Sequence, residues 1–572
     1  MPRRTSVADS ARPAFAPDSP ALSRVPQVPV RVVLVTMDSH LASAAERAQA
    51  ALAKRLPGLT LDVHAASEWN GDDQALQRCI ADIGRGDIVI ATMLFLEDHF
   101  LPVLPALKAR RDHCDAMVCA MSAAEVVRLT RIGRFDMSGE PSGLMTVLKK
   151  LRGRMAGKSG ADGDGHRAAA GHQQMKMLRM LPQILRFIPG TAQDVRAYFL
   201  VLQYWLAGSQ DNVVGLVSML VDRYADGPRR SLRGQVKAVA PVEYPEIGVY
   251  HPRLPGRMAE DAAALDGTGG PDGSTGTVGL LLLRSYLLAG NTGHYDGAIA
   301  AIESRGLRVL PVFATGLDAR PAIDRFFVRD GRSRVDAVLS LTGFSLVGGP
   351  AYNDARAAEE VLARLDVPYV AAMPVEFQTI EQWGSSERGL LPVEATMMVA
   401  IPELDGSIAP TVYGGRTEAC GQRCGGCSRG CTFEGADNRH DMHSCAERVE
   451  NLAARLARLV ALRRSDRARR HVAVVLFNFP PNAGNTGTAA FLAVFESLHN
   501  TLAGLRDAGY SVEVPASVDE LRDRLIRGNA ERYGATANVH ARIPANEHVR
   551  RERWLPEIED QWGPAPGRLQ SD

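Results

Sequence analysis

The segment HVAVVLFNFPPNAGNTGTAAFLAVFESLHNTLAGLRDAGYSVEV, residues 471–514, reads as a βαβ unit. Val472–Phe477 is an apolar run without polar alternation, the pattern of a strand buried on both faces of a parallel sheet. Pro480 and Pro481 end it, and Asn482, Gly484, Asn485 and Gly487 make a flexible turn. Phe491, Val494, Phe495, Leu498, Leu502 and Leu505 then recur at helical spacing until Gly509. A glycine-rich turn between a buried strand and a helix start brings backbone N–H groups to a ligand, so this loop is a candidate binding edge.

The same layering recurs upstream. Between residues 29 and 152, runs at Val30–Thr36, Leu59–Val63, Asp87–Thr92 and Ala116–Ala120 alternate with helical stretches, which predicts a doubly wound parallel sheet with Asp38 or Ser39 capping its first helix. From 278 to 418 a second α/β series has strands at Val278–Leu283, Arg308–Phe313, Ala337–Leu341 and Tyr369–Ala372. Its helices are expected near Tyr295–Arg305, Ala319–Val328 and Ala355–Leu365. Residues 175–255 carry mainly helical periodicity and read as a helical connector. Two stretches have almost no large apolar residue and read as linkers, 153–174 and 256–277. Residues 1–28 read as a disordered tail, 419–470 as a cysteine-rich loop with a helix, and 471–572 as the start of a further α/β domain, left incomplete. The fold class is therefore α/β and multidomain, with Rossmann-like or flavodoxin-like parallel-sheet units joined by a helical connector.

Composition narrows the function. A chain of 572 residues exceeds one core and suggests roughly three or four domains. With 66 basic against 65 acidic residues there is no field to hold a polyanion, so nucleic acid is excluded as a partner. The longest apolar run, Val278–Leu283, falls far short of the ~20 residues of a transmembrane helix. No apolar signal core precedes Val28, and a cytoplasmic location is expected.

Half of the eight cysteines lie in CGQRCGGCSRGC, as Cys420, Cys424, Cys427 and Cys431. Glycines at 421, 425, 426 and 430 let this backbone fold tightly, and four thiolates so close in sequence can reach one tetrahedral ion or one cubane cluster. The alternative is a mobile loop of free thiols, which neighbouring cysteines would expose to oxidation. The spacing differs from the paired knuckles of most structural zinc sites, which favours a 4Fe–4S cluster over Zn2+. Cys420, Cys424 and Cys427 also have the spacing of radical S-adenosylmethionine enzymes, but Gly426 stands where an aromatic is usual, and no (β/α) barrel pattern surrounds them. Cys445, His440 and His443 are nearby substitute ligands, unless the helix from Ala446 to Arg464 holds them for structural reasons.

FNFPPNAGNTGTAAFLAVFESLHNTLAGLRDAGY at 477–510 resembles the large, porphyrin-binding subunits of magnesium chelatases and their cobaltochelatase relatives. So do LLLLRSYLLAGNTGHYDGAIAAIESRGLRVLPVFATGLDAR at 280–320, LTGFSLVGGPAYND at 341–354, AIPELDG at 400–406 and WGPAPG at 562–567, in the same order. TMDSHLASAAERA at 36–48 is similar to the magnesium branch. The resemblance implies ATP-dependent insertion of Mg2+, as substrate, into protoporphyrin IX in (bacterio)chlorophyll synthesis, with ATP used by separate AAA+ ATPase I and D subunits. It also implies an incomplete chain, inactive alone, since members run to roughly twice this length. A corrinoid-directed cobaltochelatase subunit and a non-catalytic tetrapyrrole-binding module are the alternatives.

Under that resemblance, Glu394, Glu403 and Asp405 are candidate carboxylates to accept pyrrole protons or hold hydrated Mg2+. A surface turn is the plainer reading of the same residues. His251 in the loop Tyr250-His251-Pro252 is a candidate substrate contact, and more simply an exposed or structural histidine. Met175, Met177, Met180 and Trp205 form either an apolar plate for a tetrapyrrole or ordinary core. Gly153 to Ser159 ends like a phosphate loop, yet it is one residue short and follows no strand, so it reads as linker.

Overall fold

The computed structural model describes residues 28–37, 39–69, 72–138, 180–349, 352–417, 423–433, 441–478, 483–529 and 541–563. Asp38, the linker 153–174, Met175, Met177, Cys420, His440 and Pro480–Asn482 lie outside them. The chain divides into two compact units, residues 1–461 and 462–572.

The larger unit holds two sheets. Strands β1 (Val30–Thr36), β2 (Leu59–Ala65), β3 (Ile88–Thr92) and β4 (Ala116–Ala120) are parallel in the order β2-β1-β3-β4. A short hairpin, β5 (Arg131–Ile132) and β6 (Phe135–Asp136), extends the sheet antiparallel beyond β4. Alternate residues of each strand point to opposite faces, and both faces are covered. Val33, Val35, Val89 and Met117 pack with Cys79 and Ile83 of helix α2 (Asp73–Arg85) and Leu107 of α3 (Leu104–Arg110). Asp72 caps α2 by accepting a hydrogen bond from the Ala75 amide at 3.0 Å.

The opposite face, Val30, Val32, Leu34, Ile88, Ile90 and Val118, is covered by α1 (Ala42–Leu52) together with α4 (Thr191–Leu206) and α5 (Gln210–Tyr224). The helices expected as a connector are thus a hairpin laid on the first sheet. Val201, Tyr204, Val213, Leu216, Val217 and Leu220 point into that core, and a helix with so broad an apolar stripe must bury it on a neighbouring layer. Trp205 is in the same core, whereas Met180 is partly exposed, so they do not form a shared plate.

The second sheet has the order β14-β13-β12-β11-β9-β10-β7-β8. Its parallel centre is β9 (Thr277–Leu283), β10 (Arg308–Ala314), β11 (Ala337–Ser340), β12 (Tyr369–Thr379) and β13 (Ile408–Arg416). Antiparallel edges are β7 (Ile247–Tyr250), β8 (Met258–Ala259) and β14 (Met442–Ser444). The stretch 256–277, expected as a linker, lies inside this domain. It supplies β8 and buries Leu265, because an edge strand and one apolar anchor suffice to tie down a glycine-rich loop. One face carries α6 (Gly293–Glu303) and α8 (Ala446–Arg464), whose Val449, Leu452, Leu456 and Val460 form the buried stripe. The other carries α7 (Ala355–Leu365) with Ile323, Phe326 and Phe327.

In the smaller unit the described residues contain helices α9 (Val494–Asp507), α10 (Val518–Ile526), α11 (Ala545–Arg551) and α12 (Leu555–Trp562) and no strand. Val472–Phe477, read as a buried strand, forms no strand in the described residues, and Val475 is 91% exposed. Strand formation needs a neighbouring strand to take the backbone hydrogen bonds in register, which apolar content alone does not provide; the Gly487 amide donates to the Phe477 carbonyl at 2.8 Å, a turn contact rather than a ladder. Among the described residues, no helix is long and apolar enough to cross a membrane.

Candidate metal centre

Within the larger unit the carboxyl ends of the two sheets meet, which is where doubly wound folds bind ligands. Arg416, the last residue of β13, places Nη1 3.3 Å from Glu68 Oε1, and Ser43 on α1 donates to Asp441 just before β14. Arg47 donates to the Ala289 carbonyl at 2.6 Å, and the His40 ring lies 5.9 Å from that of Tyr286. Buried side-chain atoms collect along these edges with no partner among the described residues: the Thr36 and Thr92 hydroxyls, both nitrogens of His294, and the Tyr413 hydroxyl. Complete burial, then the neighbouring His443, pushes the His294 pKa down to about 3, so it is neutral.

The cysteine loop lies beyond the carboxyl end of β12. Residues 423–432 form a tight hairpin: Arg423 bridges Thr432, the Cys424 amide donates to the Cys431 carbonyl at 2.7 Å, and Gly430 takes φ +58°. The start of α8 holds this loop. Glu447 accepts the Arg429 amide at 2.8 Å, and Arg448 donates to the Gly426 carbonyl at 2.7 Å while stacking 4.3 Å over the Trp383 ring. Gly426 is required by that contact, since a Cβ there would lie 2.0 Å from the indole.

Cys424, Cys427 and Cys445 bring their sulfurs within 4.8 Å of one another. Cys424 and Cys445 are buried and Cys427 is partly open; Cys431, half-buried, donates its amide to the Cys427 sulfur at 3.4 Å. Contact with Cys445 lowers the Cys424 pKa, and the same contact raises that of Cys445. Met373, Val375, Phe377, Met398 and Phe433 line the inner side. An open groove of about 460 Å3 adjoins Cys427, lined by Trp383, Gly384, Gly425, Gly426 and Arg448. Mutually adjacent thiols in a largely dry setting, beside a helix start, are a donor set for a soft metal. Two members of the sequence quartet, Cys424 and Cys427, thus meet Cys445 from another segment, while Cys431 lies in the same hairpin outside that group of sulfurs. The open parallel sheets give these cysteines no (β/α) barrel, the context the radical-enzyme reading requires.

The other candidates are not gathered there. Glu394 is fully buried and accepts hydrogen bonds from the amides of Phe377 (3.2 Å) and Leu391 (3.1 Å) and from the Gln378 side chain. Burial raises its pKa against those bonds. Asp405 is likewise buried, accepting the Leu346 amide at 2.6 Å and the Ser345 hydroxyl at 3.1 Å. Both carboxylates are occupied in fastening loops, a use that a local sequence reading cannot see. Glu403 lies in the short helix Ile401–Asp405 and is exposed. His251 is buried, with Nε2 3.3 Å from Glu303 and Nδ1 accepting the Arg253 amide at 3.2 Å, and burial lowers its pKa. It is a structural histidine rather than an exposed contact.

Comparison with known proteins places these features in context. The family described as CobN/Magnesium Chelatase matches residues 202–572, and a domain of unknown function (DUF3479) matches residues 31–199. The magnesium-chelatase H subunit of Cereibacter sphaeroides is 50% identical over 543 residues, covering 95% of this chain and 44% of that protein. The chloroplastic magnesium-chelatase subunit ChlH of Oryza sativa subsp. indica is 33% identical over 589 residues, covering 99% of this chain and 40% of its own length. A solved structure, the catalytic subunit of cobaltochelatase from Mycobacterium tuberculosis, aligns with a TM-score of 0.49 at 19% identity over 95% of this chain and 36% of that one. The chain thus spans less than half the length of these relatives.

Proposed function

This chain belongs to the CobN/magnesium chelatase family, and from that premise we propose that it serves in the porphyrin-binding large subunit of magnesium chelatase. The reaction is ATP-dependent insertion of Mg2+ into protoporphyrin IX for (bacterio)chlorophyll synthesis. The observation that carries this reading is the 50% identity to a magnesium-chelatase H subunit, sustained over 95% of the chain. The magnesium-chelatase subunits match at 50% and 33% identity over nearly the whole chain, whereas an aerobic cobaltochelatase subunit matches at 27% over half of it, which favours Mg2+ over cobalt.

Insertion requires the macrocycle to lose two N–H protons while Mg2+ sheds firmly held water, so bases and a driven conformational step are both needed. Glu394 and Asp405 hold loops in place and are poor candidates for those bases. The facing sheet edges, with Arg416 opposite Glu68 and buried polar atoms at the strand ends, are the more suitable place for a ligand. ATP hydrolysis falls to partner AAA+ I and D subunits, as the family resemblance implies; Gly153–Ser159 in this chain is one residue short of a phosphate loop. The cysteine loop is assigned to a resident soft metal, a 4Fe–4S cluster or a zinc ion, which would tie the loop to α8.

Genetic replacement tests the reading. In a photosynthetic bacterium whose H-subunit gene carries these 572 codons in place of its corresponding segment, magnesium porphyrins and pigment should accumulate. A stable, expressed replacement that accumulates only metal-free protoporphyrin would refute it.

A further inference from the structure

We infer that the first sheet domain carries two complementary docking patches, and that the chain associates head to tail with the basic patch of one copy seated on the acidic patch of the next. The basic patch lies at the start of α4. Residues 180–185 form a helical turn held to the domain by buried Leu185 and by Gln193, whose side-chain amide donates to the Leu185 and Ile188 carbonyls at 2.8 and 2.6 Å. Its outer side leaves Met180, Ile184, Phe187 and Ile188 uncovered, with Phe187 83% exposed. Arg196 donates to the Pro182 carbonyl at 3.0 Å and Arg223 to the Gln193 carbonyl at 3.3 Å, so both guanidinium groups are fixed beside this turn, with Arg186 following it. None of the three has an ion-pair partner among the described residues. Burial, then Arg223 and Arg186, lower the Arg196 pKa, so the cations are near enough to repel one another and to favour an anion from outside.

The acidic patch is the loop that leaves β3. The Met93 amide donates to the Met121 carbonyl at 2.9 Å, the Leu94 amide to the Ser122 hydroxyl at 3.1 Å, and Phe100 is buried, so the loop is well anchored. It still presents Phe95, Leu96 and Leu101, each about half exposed, beside the exposed carboxylates Glu97 and Asp98, which have no basic partner among the described residues. Anchored apolar side chains facing water gain by burial, and opposite charges set the register of the contact. The chain itself therefore supplies a surface of matching apolar character and opposite sign, which makes a second copy the occupant. The two patches lie at opposite edges of one sheet. Hydrogen bonds from the Arg134 amide to Asp194 (2.9 Å) and from Arg229 to Asp115 (2.8 Å) tie the α4 start and the α5 end to the amino ends of the strands, whereas Phe95–Leu101 follows a carboxyl end. Each contact leaves one patch free at either end, the heterologous geometry that builds rings or chains and not a closed two-fold dimer.

Sedimentation equilibrium of the 572-residue chain from about 1 to 100 µM tests this. The average mass of the wild type should rise above the monomer with concentration and fall back in about 0.5 M salt. Phe187→Glu disables the basic patch and Glu97→Arg/Asp98→Arg the acidic one, and each variant alone should stay monomeric. An equimolar mixture of the two keeps one intact patch of each kind, so it should form dimers and nothing larger. The altered positions are exposed, and circular dichroism verifies that the variants are folded. A wild type that is monomeric throughout, association that persists in either variant, or a mixture that stays monomeric would overturn the inference. Flotation with phosphatidylglycerol vesicles reads the competing occupant. A monomeric wild type that floats, with Phe187→Glu failing to do so, would give the basic patch to an anionic lipid surface and overturn self-docking.

Discussion

Glu394→Ala should unfold the second sheet domain well below the wild-type temperature, because this carboxylate is a structural acceptor rather than a catalytic base. Its side chain is fully buried and accepts two backbone amides, Phe377 and Leu391, and the Gln378 side-chain amide. Removing it leaves three buried donors, each costing about 1–3 kcal/mol when unsatisfied. Water entering the vacated space trims the total to about 3–5 kcal/mol. At about 2–4 °C per kcal/mol for a domain of 150–250 residues, even the lower figure lowers the midpoint by about 6–12 °C. Differential scanning calorimetry reads the shift, with Glu403→Ala as the exposed control expected to stay within about 0.5 kcal/mol of wild type. A Glu394→Ala chain with an unchanged midpoint would refute the structural assignment and restore Glu394 as a candidate base.

His294 is held neutral, with a pKa near 3 against about 6.5 in the unfolded chain. Its contribution is therefore complete above pH 6.5 and is lost as pH falls towards 3, amounting to about 2 kcal/mol by pH 5. Urea midpoints taken from pH 7 to 5 should fall less steeply in His294→Phe, and parallel slopes would contradict this. Leu220→Ala, in the helix that covers the first sheet, should cost about 2–5 kcal/mol and raise amide exchange in β1 and β3 while leaving β9 and β11 protected; uniform loss of protection would show that the hairpin is not a layer of the first domain alone. Lys158→Ala should change neither nucleotide binding nor turnover, measured by equilibrium dialysis and phosphate release; any ATPase activity it abolishes would reveal a phosphate loop the sequence hides.

Strands with strongly apolar runs were legible. Val30–Thr36 and Val278–Leu283 are interior strands of their sheets, where burial on both faces imposes that composition. Strand β12 runs on to Thr379, past the Ala372 end expected for it. Pro374, Glu376 and Gln378 break the apolar run, and the register with β13 shifts at Met373/Pro374. The amphipathic stripe of Gln210–Tyr224 announced a helix, but a stripe does not say which layer it will cover. Val472–Phe477 shows the converse limit: apolar content permits a strand, and pairing makes one. At the candidate metal centre, glycine and cysteine spacing picked out the hairpin and marked Cys445 as a substitute ligand, and the pairing of β14 with β13 is what brings Cys445 to it. Glu394 and Asp405 were visible as carboxylates; their backbone donors come from Phe377 and Leu346, which only the folded chain brings near.

Membership in the magnesium-inserting machinery is tested most directly by a chimeric large subunit. These 572 residues would replace the corresponding segment of the Cereibacter sphaeroides H subunit, and the purified chimera would be mixed with the ATPase partner subunits, ATP, Mg2+ and protoporphyrin IX. Porphyrin fluorescence should move to that of the magnesium product, with the shift dependent on ATP. A folded chimera that binds its partners yet leaves the porphyrin metal-free, or that inserts cobalt into a corrinoid instead, would contradict the account.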